Sequence, residues 1–279
     1  MPHLATNEYP WSVLYARDGL DWKGSIEAGL DEVAASGAQG LEPAFESPDA
    51  VGPLAAALCA RGLQMRSLYV STALHEPALL EASLGRVTAI ARAAARVGTR
   101  IVVTNPEPLS WSTPRDKDDR QLECQAAGLE RLGGALRDLG LTLAYHNHDT
   151  ELRCAARELH HMMLATDPAR VALCLDAHWV YRGAGDSAMA LFDLVALYGD
   201  RVAELHLRQS SGGVWSETFG PGDIDYARLA SALRARGARP HLVLEQAAEE
   251  GTPRTLGRVE AQRRSVQAAR ELMSGLEAV

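Results

Sequence analysis

Acidic and imidazole side chains recur directly after short apolar runs in this chain. The strings are Gly40–Pro43 (GLEP), Tyr145–Glu151 (YHNHDTE), Leu173–Trp179 (LCLDAHW), Glu204–Arg208 (ELHLR) and Leu242–Gln246 (LVLEQ). Carboxylates and imidazoles bind divalent ions such as Mn²⁺, Mg²⁺, Co²⁺ and Zn²⁺, and they also transfer protons. The strings therefore predict a metal site with acid–base groups, provided that the fold brings them together.

Four of these side chains are expected to share the inner face of a sheet. Residues two apart on a strand point to the same face, and the leucines next to Asp176, His206 and Glu245 would face outward. The same alternation turns His146 inward. Uncompensated buried charge costs several kcal/mol, so four such groups meeting at one place indicate a shared cation. We expect one divalent ion, with Mn²⁺ ahead of Mg²⁺, Co²⁺ or Zn²⁺.

Other histidines and acids near these strings leave alternatives open. His148 and Glu151 either take part in acid–base chemistry or cap the helix that follows. The DxH spacing of His178 either adds a ligand or supports one. His160 and His161 lie within a helical pattern and are expected to pack or to face solvent.

The elements that must position these groups alternate between strand-like and helix-like patterns. Candidate strands are His3–Thr6, Gly40–Pro43, Gln64–Val70, Arg100–Thr104, Thr142–His146, Val171–Asp176, Val202–Leu207 and His241–Glu245. Candidate helices are Ser25–Ser36, Pro53–Arg61, Pro77–Val97, Arg120–Leu139, Arg153–Leu164, Ser187–Leu197, Tyr226–Arg236 and Val259–Leu276. Eight alternations predict an α/β fold, a single (β/α)8 TIM barrel spanning residues 1–279, with function at the C-terminal ends of its strands.

Glycines at the helix-to-strand junctions support this prediction. They are Gly37, Gly62, Gly98, Gly140 and Gly237, and each stands where a left-handed helix cap belongs. A doubly wound sheet would instead show a glycine-rich phosphate turn after the first strand. The residues NEYPW at that point do not form one.

Composition narrows the class of protein. The chain has 279 residues and a net charge of −8, which argues against nucleic-acid and anionic-membrane surfaces. Four scattered cysteines predict inert thiols in a reducing compartment. Without a secretory signal pattern or a run of about 20 apolar residues, we expect a cytoplasmic protein. Nothing in the sequence marks an interface, although a homo-oligomer is compatible with it.

In this order, the strings resemble the xylose-isomerase-like barrel superfamily. The segments that carry the resemblance are Tyr145–Glu151, Leu175-Asp176 followed by Trp179, Leu205–Arg208, and Gly220–Asp225 (GPGDID). The resemblance implies a metal held by a strand-five residue together with Asp176, His206 and Glu245. Epimerases of this group place a glutamate where this chain has His146, and the string is more similar to that of inosose dehydratases. Arg208 stands where a lysine is frequent.

The resemblance also implies a sugar-like substrate, either a ketose or a keto-polyol. The expected reaction is proton abstraction next to a carbonyl through a metal-stabilised enediolate, with Glu245 taking or returning the proton. His146, His148 or Glu151 would act as its partner. The expected substrate contacts are Glu42, Asn105, Trp179, Arg208 and Trp11, with Trp111 as a further aromatic surface, although each tryptophan could equally be a packing residue.

We expect an isomerase or epimerase acting on an unphosphorylated substrate, with a dehydratase as the alternative. Two other classes fit the sequence less well. An endonuclease-IV-like enzyme would need more metal-binding histidines and a basic groove. A non-catalytic sugar-binding protein would not need several acid–base groups around a metal.

Overall fold

Eight short parallel strands form the centre of the molecule. The computed structural model describes residues 3–276. The barrel strands are β1 (Leu4–Asn7), β2 (Gly40–Glu42), β3 (Ser67–Thr72), β4 (Ile101–Pro106), β5 (Thr142–His146), β6 (Val171–Asp176), β7 (Val202–Leu207) and β10 (His241–Leu244). A small antiparallel hairpin, β8 (Ser210–Ser211) and β9 (Val214–Trp215), follows β7.

The strands pair in parallel in the order β2-β1-β10-β7-β6-β5-β4-β3. Backbone hydrogen bonds then join β2 to β3 and complete the ring. The amide of Leu41 donates to the Gln64 carbonyl at 3.0 Å, and the amide of Tyr69 donates to the Pro43 carbonyl at 2.9 Å. The predicted (β/α)8 barrel is confirmed.

Helices cover the outside of the ring. They are α1 (Glu8–Arg17), α2 (Ile26–Ala35), α3 (Val51–Cys59), α4 (Pro77–Ala95), α5 (Asp119–Arg137), α6 (Arg153–Ala165), α7 (Ala177–Gly183), α8 (Ala188–Tyr198), α9 (Tyr226–Ala235) and α10 (Arg258–Leu272). Their apolar faces pack against the outward leucines and valines of the strands in one large core. Among residues 3–276, no helix combines the length and apolarity that crossing a bilayer requires.

Local sequence fixes where several helices begin and end. Asp118 and Gln121 form a reciprocal capping box at the start of α5, with the Gln121 amide donating to Asp118 Oδ1 at 2.8 Å. The five predicted junction glycines all have positive φ, for example 86° at Gly37 and 93° at Gly98. The backbone turn after each of these helices therefore needs the freedom that glycine supplies.

Three predicted strands, β5, β6 and β7, have the predicted bounds, and the other elements differ by a few residues at their ends. Two helices were missed. Both α1 and α7 follow a strand immediately, so no loop residues separate them from it, and α7 has only seven residues. A helix this short leaves little hydrophobic periodicity in the sequence.

Candidate active site

Four side chains predicted to bind a metal converge at the C-terminal end of the barrel. His146 ends β5, Asp176 ends β6, His206 lies on β7 and Glu245 follows β10. One ligand atom from each lies within 4.8 Å of the others, and all four residues are buried. Neighbouring parallel strands bring their ends to one place, which is why residues far apart in sequence meet here.

Asp176 is fixed in a position that leaves one oxygen available. Its Oδ1 accepts from the Trp179 amide at 2.9 Å, which caps α7. Its Oδ2 is buried and has no hydrogen-bond partner among the described residues. Asn147 ties the ends of β5 and β6 together, because its amide donates to the Asp176 carbonyl and accepts from the Asp176 amide, both at 3.1 Å. The sequence analysis did not single out Asn147.

The two histidines and Glu245 are in direct contact. His146 Nε2 lies 3.1 Å from His206 Nδ1, and that same Nδ1 lies 2.9 Å from Glu245 Oε2. Burial lowers the pKa of His146 well below its usual value, with the neighbouring His148 adding to the effect. A neutral imidazole keeps a lone pair available for a metal ion.

Arg208 provides a permanent positive charge at the site. Its Nη2 lies 3.1 Å from Glu245 Oε2, and its Nε donates to the Glu245 carbonyl at 3.2 Å. The guanidinium also lies over the rings of Trp215 and Trp179, at 4.3 Å and 4.8 Å from their centroids. These contacts hold a side chain that is 1% exposed, and both aromatic faces favour its charge.

The pKa values of the two carboxylates, Asp176 and Glu245, are shifted in opposite directions. Burial raises the pKa of Asp176 to about 7, against the opposing charge of Arg208. Burial would raise the pKa of Glu245 as well, but the charges of Arg208 and His206 outweigh it and hold that pKa at about 2. Glu245 is therefore ionised at neutral pH, whereas Asp176 lacks a sufficient counter-charge of its own.

The donor set fits one divalent cation. Two carboxylates and two imidazoles, with the unpartnered Asp176 Oδ2 among them, match the oxygen and nitrogen ligands of Mn²⁺, Co²⁺ and Zn²⁺. Cys174 lies close to His146 and His206, but burial raises the pKa of its thiol well above the usual value. The thiol stays protonated and is a poor ligand.

Beneath the quartet lies a second layer of buried carboxylates. His206 Nε2 lies 3.1 Å from Glu42 Oε1 and 3.2 Å from Glu204 Oε1. Asn7 Nδ2 also donates to Glu42 Oε1, at 2.7 Å. Burial and the negative charge of Glu42 raise the pKa of Glu204 well above its usual value. The expectation that Glu42 contacts substrate is corrected: it is completely buried and holds His206 from below.

The string after β5 forms a bonded unit around Glu151. Its Oε2 accepts from the His148 amide at 2.7 Å, and its Oε1 accepts from Asn105 Nδ2 at 3.3 Å. The same Asn105 nitrogen donates to the His146 carbonyl at 3.3 Å. In this structure Glu151 and Asn105 thus position the loop, and the expected substrate contact of Asn105 and proton transfer by Glu151 stay predictions.

His148 is the member of that loop that faces the site mouth. Its ring lies 4.7 Å from the ring of His146, 4.9 Å from that of Trp111 and 5.9 Å from that of Trp179. Burial lowers its pKa to about 4. His148 is therefore a neutral imidazole at neutral pH, a form that accepts a proton.

The tryptophans separate into different roles. Trp11 is fully buried, donates to Thr6 Oγ1 at 3.2 Å and stacks on Trp22, so its expected substrate contact is corrected to core packing. Trp111 is exposed above His148, where its Nε1 donates to Glu107. Trp179 remains a candidate for substrate contact.

Some residues near the site could not be assigned from the sequence, because they do not follow a predicted strand or because their spacing suggested a different role. Trp215 lies on the hairpin after β7, which the sequence analysis did not predict. His178 is buried against Trp179, Tyr181 and Trp215 and belongs to none of the described clusters that could hold a metal. His160 packs on Tyr198, with Nδ1 2.8 Å from the hydroxyl, as expected for a packing residue.

A cavity of about 360 Å³ opens beside Glu245. It is lined by Asn7, Glu8, Tyr9, Ser12, Lys23, Ala44, Glu46, Tyr69 and Glu245. Most of these residues lie at or after the ends of β1 and β2, and only Glu245 among them was predicted from the sequence to be a site residue. The cavity is polar and aromatic, which suits a small hydroxylated molecule.

Comparisons with known proteins agree with the barrel fold. An inosose dehydratase of Lacticaseibacillus casei is 27% identical over 250 residues, covering 79% of this chain and 82% of that protein. The crystal structure of a sugar phosphate isomerase/epimerase from Parabacteroides distasonis matches 98% of this chain and 95% of its own, with a TM-score of 0.74 and 16% identity. That of D-psicose 3-epimerase from Clostridium cellulolyticum, with D-tagatose, matches 99% of this chain and 100% of its own, with a TM-score of 0.72 and 15% identity.

At these identities the two solved structures show a shared fold. The sequence model of the family described as xylose isomerase-like TIM barrel matches residues 30–272, which is most of the chain. The motifs quoted above lie within that range, and the structure shows the (β/α)8 barrel that this family model describes. This chain therefore belongs to the xylose isomerase-like TIM-barrel family.

Proposed function

We propose that this chain is a divalent-metal-dependent isomerase or epimerase that acts on a ketose or keto-polyol. The observation that carries the proposal is the convergence of His146, Asp176, His206 and Glu245 within 4.8 Å beside a cavity lined by carboxylate and aromatic side chains. Two of the solved structures with this fold are sugar epimerases by name. A bound divalent ion would polarise the substrate's carbonyl and hydroxyl oxygens and make the neighbouring C–H more acidic.

Glu245 is the residue placed to take that proton. It lines the cavity, and the charge of Arg208 favours its ionised form. Arg208 presents a second, unpartnered nitrogen, Nη1, beside the same carboxylate. This nitrogen can donate to a substrate oxygen and stabilise negative charge as it develops.

A second proton-transfer group lies on the strand-five side. Both oxygens of Glu151 are engaged in holding the loop, whereas the ring of His148 faces the mouth of the site. His148 is therefore the preferred partner for Glu245, and His146 serves as a ligand. Transfer of the proton to the neighbouring carbon gives isomerisation, and its return on the opposite face gives epimerisation.

The cavity favours an unphosphorylated substrate. Lys23 is the one cationic side chain among its described lining residues, and Glu8, Glu46 and Glu245 add negative charge around it. A phosphate group would need more positive charge than this. A neutral polyol, in contrast, finds acceptors in the carboxylates and an aromatic surface in Tyr9 and Tyr69.

Dehydration of a keto-polyol is the second candidate. It begins with the same proton abstraction, after which the β-hydroxyl leaves. The name of the Lacticaseibacillus casei relative motivates this alternative, and so does His146 in place of a strand-five glutamate. The first step alone does not separate the two reactions.

Incubation in D₂O separates them. The Mn²⁺-loaded protein is mixed with a panel of ketoses and inososes, and the products are followed by NMR. Deuterium uptake with an isomeric product supports isomerisation or epimerisation, whereas a deoxy or unsaturated product establishes dehydration. No exchange with any compound would contradict both candidates.

Glu245→Gln tests the assigned base. Exchange should fall by at least about 100-fold, which is the usual contribution of a positioned base. Glu123→Gln is the matched control, because Glu123 is exposed on α5, far from the site. Equal loss in both variants would remove the reason for assigning Glu245.

A further inference from the structure

A second cavity lies at the opposite mouth of the barrel, where the strands begin. Its volume is about 210 Å³. The residues that line it are His3, Arg66, Arg100, Ile101, Ala203, Arg239, Pro240, His241 and Leu276. Most of them stand at or just before the first residues of β1, β3, β4, β7 and β10. The N-terminal ends of the barrel strands therefore enclose a pocket of their own.

This pocket concentrates positive charge in an acidic chain. Arg66, Arg100 and Arg239 line it, and no Asp or Glu is among its described lining residues. Arg66 Nε donates to Gln64 Oε1 at 2.7 Å, and Arg239 Nη1 donates to a backbone carbonyl at 2.8 Å. Burial, followed by the charge of Arg100, lowers the pKa of Arg66. The Arg66 and Arg100 guanidinium groups thus lie close enough to repel each other, and no carboxylate is among the described lining residues.

Two histidines at the floor of the pocket add unused hydrogen-bonding atoms. The rings of His3 and His241 lie 5.3 Å apart, centroid to centroid. Both ring nitrogens of His3 and Nε2 of His241 are buried without a hydrogen-bond partner among the described residues. A buried polar atom without a partner is costly, and a bound ligand would supply one.

The pocket is separate from the metal quartet. His241 is the first residue of β10, and Glu245 follows its last residue, so the two sites lie at opposite ends of the same strand. Arg208, the cation of the metal site, is not among the residues of the pocket. An anion bound here would not touch the residues assigned to proton transfer.

We propose that the N-terminal mouth of the barrel is a binding site for a small phosphate-class oxyanion. Three guanidinium groups match the several oxygens of such an anion, and the planar fork of arginine binds two of them at once. The volume admits an ion or a phosphate group with little attached to it. Binding would relieve the repulsion between the arginines.

Isothermal titration of the metal-free protein with inorganic phosphate, at constant ionic strength, tests the proposal. We expect saturable binding of one phosphate per chain. Arg66→Gln and Arg100→Gln should each weaken it by at least about tenfold, since a hydrogen bond to a charged group contributes that much. Arg92→Gln removes the same charge from an exposed position on α4 and should leave binding unchanged.

Other arms of the titration distinguish where the anion goes. Arg208→Gln should retain binding, because that arginine lies at the other mouth. Loss in Arg208→Gln but not in Arg66→Gln would place the anion in the metal site and overturn the proposal. No saturable binding to the unsubstituted protein would also overturn it. A hexose monophosphate that binds as well as phosphate would identify the phosphate group, rather than the free ion, as the ligand.

Discussion

The ion pair between Arg208 and Glu245 gives a stability prediction that can be worked out from charges alone. Both groups are buried, their closest atoms lie 3.1 Å apart, and Asp176 lies 3.9 Å from the same guanidinium. Removing one partner of a buried pair leaves the other uncompensated, at a cost of about 3–5 kcal/mol. Arg208→Met should therefore destabilise the metal-free protein by about that amount.

Glu245→Gln should cost less, because Asp176 still faces the guanidinium. The double variant Arg208→Met/Glu245→Gln removes both charges and should be more stable than the sum of the two single changes predicts. We expect a coupling free energy of about 2 kcal/mol, within the range for residues in direct contact.

The assay is urea unfolding of all four proteins without metal, followed by fluorescence and circular dichroism. Arg208→Lys keeps the charge and should recover part of the loss, although it lacks the fork. If the two single changes were additive to within about 0.5 kcal/mol, the pair would contribute nothing to folding. The account of the site's electrostatics would then be refuted.

Three further predictions concern other parts of the molecule. Asp176→Asn should abolish the rise in melting temperature that Mn²⁺ causes, whereas Asp138→Asn, at the exposed end of α5, should not; an equal rise in both would exclude Asp176 as a ligand. Ala155 has a left-handed backbone (φ 60°, ψ 41°), so Ala155→Gly should stabilise by up to about 1 kcal/mol in urea unfolding, whereas Ala82→Gly on α4 should destabilise by about 1 kcal/mol. Burial lowers the pKa of His241 to about 3, so the unfolded chain takes up a proton at this residue before the folded chain does as pH falls below about 6.5. The free energy of unfolding should therefore decrease from about pH 6.5 downward. When unfolding is followed from about pH 7 to 4, the decrease should be less steep in His241→Gln.

The barrel and the quartet were predictable because their signals are local and repeated. Strands β6, β7 and β10 carry alternating leucines, and His146, Asp176, His206 and Glu245 stand at or near the C-terminal ends of four strands. Once the fold is a barrel, these strand ends converge. Neither step needs knowledge of how distant side chains pack.

Other roles depend on tertiary packing that the sequence does not display. Trp11 follows β1 as a substrate-binding tryptophan would, but α1 turns its ring onto Trp22 in the core. Glu42 ends β2 as an active-site acid would, yet it lies one layer deeper than Glu245. Nothing in a linear pattern distinguishes these depths. Trp215 reaches Arg208 only because a two-residue hairpin folds back.

His206 touches the upper quartet with one ring nitrogen and the lower carboxylates with the other. A single imidazole therefore connects the two polar layers on the axis of this barrel, where a barrel filled with aliphatic side chains would have no such link. Redesign of the C-terminal end of the barrel therefore has to include this interior layer: an apolar residue at Glu42 alone would remove one charged neighbour of His206, whereas changing Glu42 and Glu204 as a pair removes the whole lower layer. The same few buried residues thus affect both the folding of the barrel and the arrangement of the quartet.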